Sequence, residues 1–284
     1  MPFEPPVRSP RRLSDAYALL ADGPWRPVAG GTDLLVQITG ELGPPPERAL
    51  DIWGLEELRG IGVADDWLTL GALTTYTAIR RSPAVREHLP ALVEAAATIG
   101  AIQIQNRGTI GGNIVNASPA GDSLPILLAT DAVIVLGGPR GEREVEAGAF
   151  FTGYRRTARA DDELVLRVRI PLPAGRQVRF RKVGTRRAQA ISKVVIALAW
   201  RPDRDGRWRD VRVALGSVAE RPIRSGPAEA ALVAALPTRE TADRAAAAVA
   251  AQIKPIDDVR STAVYRRAVT ARVLHRLVRD AGGW

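Results

Sequence analysis

The chain has 284 residues, a formal net charge of +9 and no cysteine. That length accommodates two modest domains, each with its own core. The absence of cysteine excludes disulfides, thiolate nucleophiles and cysteine-ligated iron–sulfur clusters, and the distant pair His88 and His275 has no metal-ligand spacing.

Of the 40 basic residues only Lys182, Lys193 and Lys254 are lysine. The arginines are spread along the chain without interleaved stacking aromatics, so the charge argues weakly for nucleic acid and suits an acidic partner subunit equally well. The start, Met-Pro-Phe-Glu-Pro-Pro, has no signal-type apolar core, and no run is long enough to span a membrane. The expectation is a soluble cytoplasmic protein.

In chain order, Ser14–Leu20 reads as a short helix with Ser14 as its N-cap and Gly23 past its end. Trp25–Val28 is a strand, followed by the glycine turn Ala29-Gly30-Gly31-Thr32-Asp33-Leu34, with Thr32 or Asp33 placed to cap the next helix. Arg48–Ile52 closes a βαβ-like unit. Ile61–Val63 and Trp67–Gly71 are short strands, Thr74 or Thr75 starts a helix, and Pro90–Ile99 is an Ala/Leu-rich helix ended by Gly100.

A second glycine stretch, Gly108–Pro125, reads as a loop poor in charge, with Gly108, Gly111 and Gly112 among Thr109, Asn113, Asn116 and Ser118, and Asp122 as its sole acid. Glycine amides with short polar side chains suit a phosphate-bearing ligand, and a carboxylate suits sugar hydroxyls. Beyond it, Ile126–Ala129 is a helical turn, and Ala132–Leu136, Glu142–Val145 and Leu164–Ile170 are strands. Pro171–Gly175 marks a boundary, giving units 1–174 and 175–284. Strands Val178–Val183, Ser192–Trp200 and Val211–Val218 follow as an antiparallel meander, then helices Ala228–Leu236, Glu240–Ile253 and Ser261–Arg279. In the last helix Val264, Ala268, Ala271, Leu274 and Val278 form an apolar stripe expected to cover the sheet. The fold class is α+β.

No dinucleotide fingerprint, P-loop or nucleophile elbow is present, and neither histidine is tied to a nucleophile. With no acid, base or nucleophile set, no catalytic residue is assigned. Such a chain makes chemical sense if a cofactor carries electrons and the protein holds it.

Two glycine turns, the second followed by an acid, resemble the paired pyrophosphate loops of the FAD-binding fold named after para-cresol methylhydroxylase. The runs Ala29–Leu35 and Asn106–Asn113 narrow this to a resemblance to the FAD-binding medium subunit of the xanthine dehydrogenase and carbon monoxide dehydrogenase family, extending over nearly the whole chain. The resemblance implies a two-lobed FAD-binding domain followed by a C-terminal domain of antiparallel sheet and helices. It assigns the cofactor pyrophosphate to Ala29, Gly30, Gly31, Thr32, Asp33 and Leu34 and to Thr109, Gly112 and Asn113. Asp122 corresponds to a ribose- or adenine-side acid, Lys182 to a lysine at the flavin end, and Ile99 and Val165 to apolar contacts.

Ser261–Arg267 matches a stretch that fixes the last helix against the flavin domain. Gln105 departs from the family, which often carries arginine there. The resemblance further implies a molybdenum-cofactor large subunit and a 2Fe-2S small subunit as partners, with NAD, quinone or oxygen as acceptor. On the residues alone, a stand-alone flavin oxidase or reductase of this fold and an arginine-rich nucleic-acid-binding module stay open.

Overall fold

The computed structural model describes residues 5–186 and 189–284. Three short strands, Val7–Arg8 (β1), Arg26–Val28 (β2) and Ala49–Asp51 (β3), form a parallel sheet in the order β1-β3-β2. The crossovers are helices Leu13–Ala21 (α1) and Leu34–Thr39 (α2). Ser14 does not cap α1. The helix begins one residue earlier, and the N–H of Leu13 donates to Glu57 Oε1 at 2.9 Å, so a distant carboxylate does the work of a cap.

Next come Ile61–Ala64 (β4) and Trp67–Gly71 (β5), then a run of helices: Tyr76–Arg81 (α3), Pro83–His88 (α4), Pro90–Thr98 (α5), Ile102–Arg107 (α6), Ile110–Asn116 (α7) and Leu124–Ala129 (α8). Thr75 caps α3, accepting from the Ala78 N–H at 3.1 Å. The chain re-enters the sheet with Val133–Gly138 (β6) and Gly141–Glu146 (β7). It continues through Ala147–Phe150 (α9), Phe151–Gly153 (β8) and Arg156–Thr157 (β9), then returns along Leu164–Pro171 (β10). The five strands pair antiparallel in the order β4-β5-β10-β6-β7, with β10 central.

The stretch read as one long loop therefore contains a helix. Ile110 and Ile114 bury one face of α7 four residues apart, and Thr109 caps it by accepting from the Gly112 N–H at 3.0 Å. Gly111 lies against the residue that follows β5, where a Cβ would come within 2.7 Å of the Ala72 Cβ. The low helix propensity of two glycines hid these signals.

The remaining strands, Gln177–Val183 (β11), Val194–Pro202 (β12), Trp208–Gly216 (β13) and Ile223–Arg224 (β14), form the antiparallel meander read from the sequence. Helices Gly226–Leu232 (α10), Arg239–Gln252 (α11) and Ala263–Gly282 (α12) follow, giving an α+β fold. Strand β12 is buried from Val194 through Trp200 because both its faces are covered. Val195, Ala197 and Ala199 join the core that contains α5 and α8, whereas Val194, Ile196, Leu198 and Trp200 join the core under the last three helices.

Helix α12 packs on β12 as expected, but its buried stripe is rotated. Val264 is 74% exposed and Ala268 is exposed, while Arg266, Thr270, Leu274, Leu277 and Val278 face inward. Arg266 claims the first turn: its guanidinium donates to the Ser217 carbonyl and to Asp258, both at 2.7 Å. These bonds engage both terminal nitrogens of the buried guanidinium, and the pattern of apolar residues could not reveal it.

Candidate functional site

The two glycine turns meet. A Cβ on Gly30 would lie 1.7 Å from the Arg107 carbonyl oxygen, so the first turn touches the entrance to the second. Gly31 adopts φ +75°, the left-handed conformation that lets the chain pass from β2 into α2. Beside this junction the ring of Trp53 meets two guanidiniums, Arg107 at 3.8 Å and Arg59 at 4.7 Å from its centre. Gln105, where the family often has arginine, is buried. It accepts from Arg80 at 2.5 Å and donates to the Ile99 carbonyl at 3.0 Å, tying α6 to α3 and to the end of α5.

Two cavities open on either side of the junction and share Thr32, Asp33, Gly112 and Asn116 as walls. The first is a slot between the turn Ala29–Leu34, helix α7 and the start of β10, where Val165 lies beside Arg159 and Glu163. The second lies between α7, the end of α5 and β11, and is lined by Ile99, Thr109, Asn113, Asp122 and Lys182. All thirteen residues assigned to the cofactor from the sequence line one cavity or both.

The backbone donors are distributed unequally. Among the described residues, the amides of Gly30, Gly31, Thr32, Asp33 and Leu34 donate to no acceptor in the protein. Those at the start of α7 are engaged: Ile110 with the Thr74 carbonyl at 3.0 Å, Gly111 with Ala72 at 2.9 Å, and Asn113 with Thr109 at 3.1 Å. The first turn is thus a row of open donors. The second turn contributes an unobstructed backbone instead, since a Cβ on Gly112 would meet only Thr109 Oγ1, at 3.0 Å. Asn113 accepts from Ser123 at 2.7 Å through Oδ1.

Sequence reasoning missed the polar bridge between the cavities. Arg155 donates to Asn116 Oδ1 and Asn116 donates to Asp33 Oδ1, both at 2.7 Å. Burial raises the pKa of Asp33, opposed by the Arg155 charge and the Asn116 hydrogen bond. Arg155 sits in the β8–β9 turn at φ +51°, a position with no local signal of its role. In the first cavity Arg159 donates to the carbonyls of Ala160 and Glu163, both at 2.7 Å, and burial lowers its pKa.

Asp122 and Lys182, expected toward opposite ends of a cofactor, instead form one ion pair at 2.6 Å, both side chains almost fully buried. Asp122 does not cap α8, whose N-cap is Ser123. Burial raises the pKa of Asp122, and Lys182 opposes that shift. Asp122 Oδ1 and the hydroxyl of Tyr76 are buried and both residues line the second cavity, where the Ser192 hydroxyl also opposes the upward pKa shift of Asp122 and the Ser123 hydroxyl that of Tyr76.

Comparison with known proteins accounts for this architecture. Residues 2–173 match the family model of the FAD binding domain in molybdopterin dehydrogenase, and residues 179–281 match that of the CO dehydrogenase flavoprotein C-terminal domain. The chain belongs to this family of FAD-binding medium subunits. It is 33% identical over 281 residues to the nicotinate dehydrogenase FAD-subunit of Eubacterium barkeri, covering 96% of this chain and 94% of that one. It is 32% identical over 276 residues to the carbon monoxide dehydrogenase medium chain of Hydrogenophaga pseudoflava, covering 96% and 95%. A solved carbon monoxide dehydrogenase from Hydrogenophaga pseudoflava superposes with a TM-score of 0.92 at 33% identity, over 97% of this chain and 96% of that chain.

As a member, the chain is the FAD subunit of a molybdenum hydroxylase complex, and its cofactor is FAD. Its residues fit that group. Open amides beside an unobstructed glycine suit a diphosphate, and a cavity on each side provides room for the two halves of a dinucleotide. Neither the stand-alone oxidase nor the nucleic-acid module is favoured. Among the described residues no helix is long and apolar enough to cross a membrane.

Proposed function

We propose that FAD lies across both cavities, with its pyrophosphate at the junction, adenosine in the first cavity and isoalloxazine in the second. The single observation carrying this reading is the row of unpartnered amides from Gly30 to Leu34, which lines the same cavity as Gly112 at the walls the two cavities share. Thr109 and Asn113 would complete the diphosphate cradle, Val165 would contact adenine, and Ile99 would pack on the flavin side. Asp122 and Lys182 would meet the ring together. This moves Asp122 from the adenosine side, because its partner Lys182 lies 2.6 Å away in the second cavity.

FAD, when bound, supplies two-electron and one-electron chemistry; the chain binds it, orients it and excludes water from the ring. We infer a cytoplasmic complex in which a 2Fe-2S small subunit delivers electrons drawn from substrate at a molybdenum large subunit. NAD, quinone or oxygen would accept them from the flavin. The chain divides into units at 174/175, a reading supported by the two matched segments on either side.

The test is to purify the chain alone. It should be yellow, be reduced by dithionite and leave organic substrates unchanged. Acid should release all flavin into the supernatant: His88 lies outside both cavities, and Tyr76, which lines one, has its pKa raised chiefly by burial. A colourless protein, or steady substrate turnover by the single chain, would defeat this reading.

A further inference from the structure

A guanidinium sealed from water has five N–H donors to place, and one left idle is costly unless something outside the chain fills it. The Arg266 side chain is 5% exposed. Its terminal nitrogens donate to the Ser217 carbonyl and to Asp258, but Nε has no partner among the described residues. Arg266 lines a third cavity, of about 760 Å³, between the loop after α7, the β8–β9 turn and the segment before α12.

The charge of this cavity is lopsided. Arg155, Lys254, Arg260 and Arg266 line it against Glu220 and Asp258. Asp258 is already engaged, accepting from Arg266 at 2.7 Å and from the Arg260 N–H at 2.9 Å. Among the described residues neither Arg155 nor Lys254 forms an ion pair. Around this basic centre, Tyr154, Ile191 and Ile256 line the cavity yet stand exposed. A surplus of positive charge behind exposed apolar side chains makes a socket for an acidic residue with apolar neighbours. A small anion would leave those three side chains in water; a protein segment would cover them.

We propose that a partner subunit docks here, placing a carboxylate side chain against Arg266 and Lys254 and apolar residues against Tyr154, Ile191 and Ile256. A carboxylate meeting the guanidinium away from water forms a charge-assisted hydrogen bond, the strong kind. The net charge of +9 favours an acidic partner surface as well. Position narrows the partner further. Ser118, Ala120, Arg155 and Ile191 are walls of this cavity and of the second one, so the occupant is the subunit that exchanges electrons with the flavin. That last step rests on the ring occupying the second cavity.

The full chain is co-expressed with its partner subunits, and the dissociation constant for assembly and the FAD content are read. Lys254→Glu and Ile256→Asp replace exposed side chains, so both variants should fold and keep FAD while assembly weakens at least tenfold. The loss in Lys254→Glu should be largest at low salt. Carbodiimide, which joins amines to carboxylates without a spacer, should couple Lys254 to an aspartate or glutamate of the partner. Lys254→Arg should assemble normally and lose that coupling.

Wild-type affinity in either Lys254→Glu or Ile256→Asp overturns the proposal. So does an equal loss in Arg244→Glu, an exposed reversal on α11, because the effect would then be one of overall charge. A dimer of the chain alone that Lys254→Glu disrupts also overturns it, giving the cavity to a second copy. Loss of FAD from the wild-type chain overturns instead the placement of the ring, and the assembly measurements still decide the docking.

Discussion

The Nε–H of Arg212 lies 3.1 Å from both carboxylate oxygens of Asp131, joining β13 to the turn that follows α8. Arg224 at 3.3 Å and Arg176 at 3.5 Å approach the same carboxylate, so three cations converge on one acid across the two halves of the chain. Asp131 is held at φ +53°, where asparagine is tolerated almost as well. Asp131→Asn therefore removes charge with little backbone cost. Because the carboxylate is 36% exposed, solvent screening limits the loss to about 1 kcal/mol, or about 2 °C in Tm. Thermal unfolding should show the gap between variant and wild type shrinking in 1 M salt, on the order of the screening expected there. A salt-independent gap would mean the role is packing.

Gly112→Val should fold normally and lose FAD. In the protein alone its Cβ meets little but the Thr109 hydroxyl, yet it points a branched side chain into the proposed diphosphate path. Overpacking of about 1–3 kcal/mol corresponds to a roughly 5- to 150-fold weaker FAD complex. Circular dichroism should match the wild type while the flavin absorbance falls away. Full occupancy would remove this turn from the site.

Trp53 should matter for FAD without touching it, by clamping Arg107 at the contact between the turns. Two cation–π contacts at about 0.5–1 kcal/mol each predict a roughly 5- to 30-fold weaker FAD complex in Trp53→Leu. Trp53→Phe should recover most of this, because an aromatic face is what the guanidiniums use. Equal losses in both variants would point to cavity filling.

Glu163 links acid stability to the first cavity. Arg143 donates to its two oxygens at 2.6 and 2.8 Å, and these hydrogen bonds hold its pKa below the ordinary 4.5. A depressed native pKa means stability present in full above the unfolded value of 4.5 and lost as pH falls through the lower native one. Glu163→Gln should cost about 2 kcal/mol near neutrality. That difference should fade below the ordinary carboxylate pKa in unfolding curves measured along an acid series. A pH-independent difference would show that the charge is not what stabilises.

Signals carried by neighbouring residues were legible in the sequence. Both glycine turns were readable because positive φ and close approach demand a residue type, and the meander because β11 to β13 follow one another without helices. Contacts made across the fold were not. Asp122 and Lys182 are 60 residues apart, and Asp33 and Asn116 are 83 apart, so only folding reveals that each is a pair. Helix α7 was hidden by two glycines, of which Gly111 is there for close contact with Ala72, and the face of α12 was misread because a buried arginine claims its first turn in place of the expected stripe.

Lys182 belongs to β11, whereas the rest of the cofactor residues come from the first 165 positions, so the second cavity is closed by both halves of the chain. A ligand seated there behaves as mortar. By mass action, FAD present at a hundred times its dissociation constant would add about 2.7 kcal/mol to the folded state. Because the ligand bridges the seam, that increment resists separation of the halves before it resists unfolding of either. Chain deprived of flavin would then part first along the seam between β11 and α5, exposing the alanine-lined face of β12 to whatever surface is nearest.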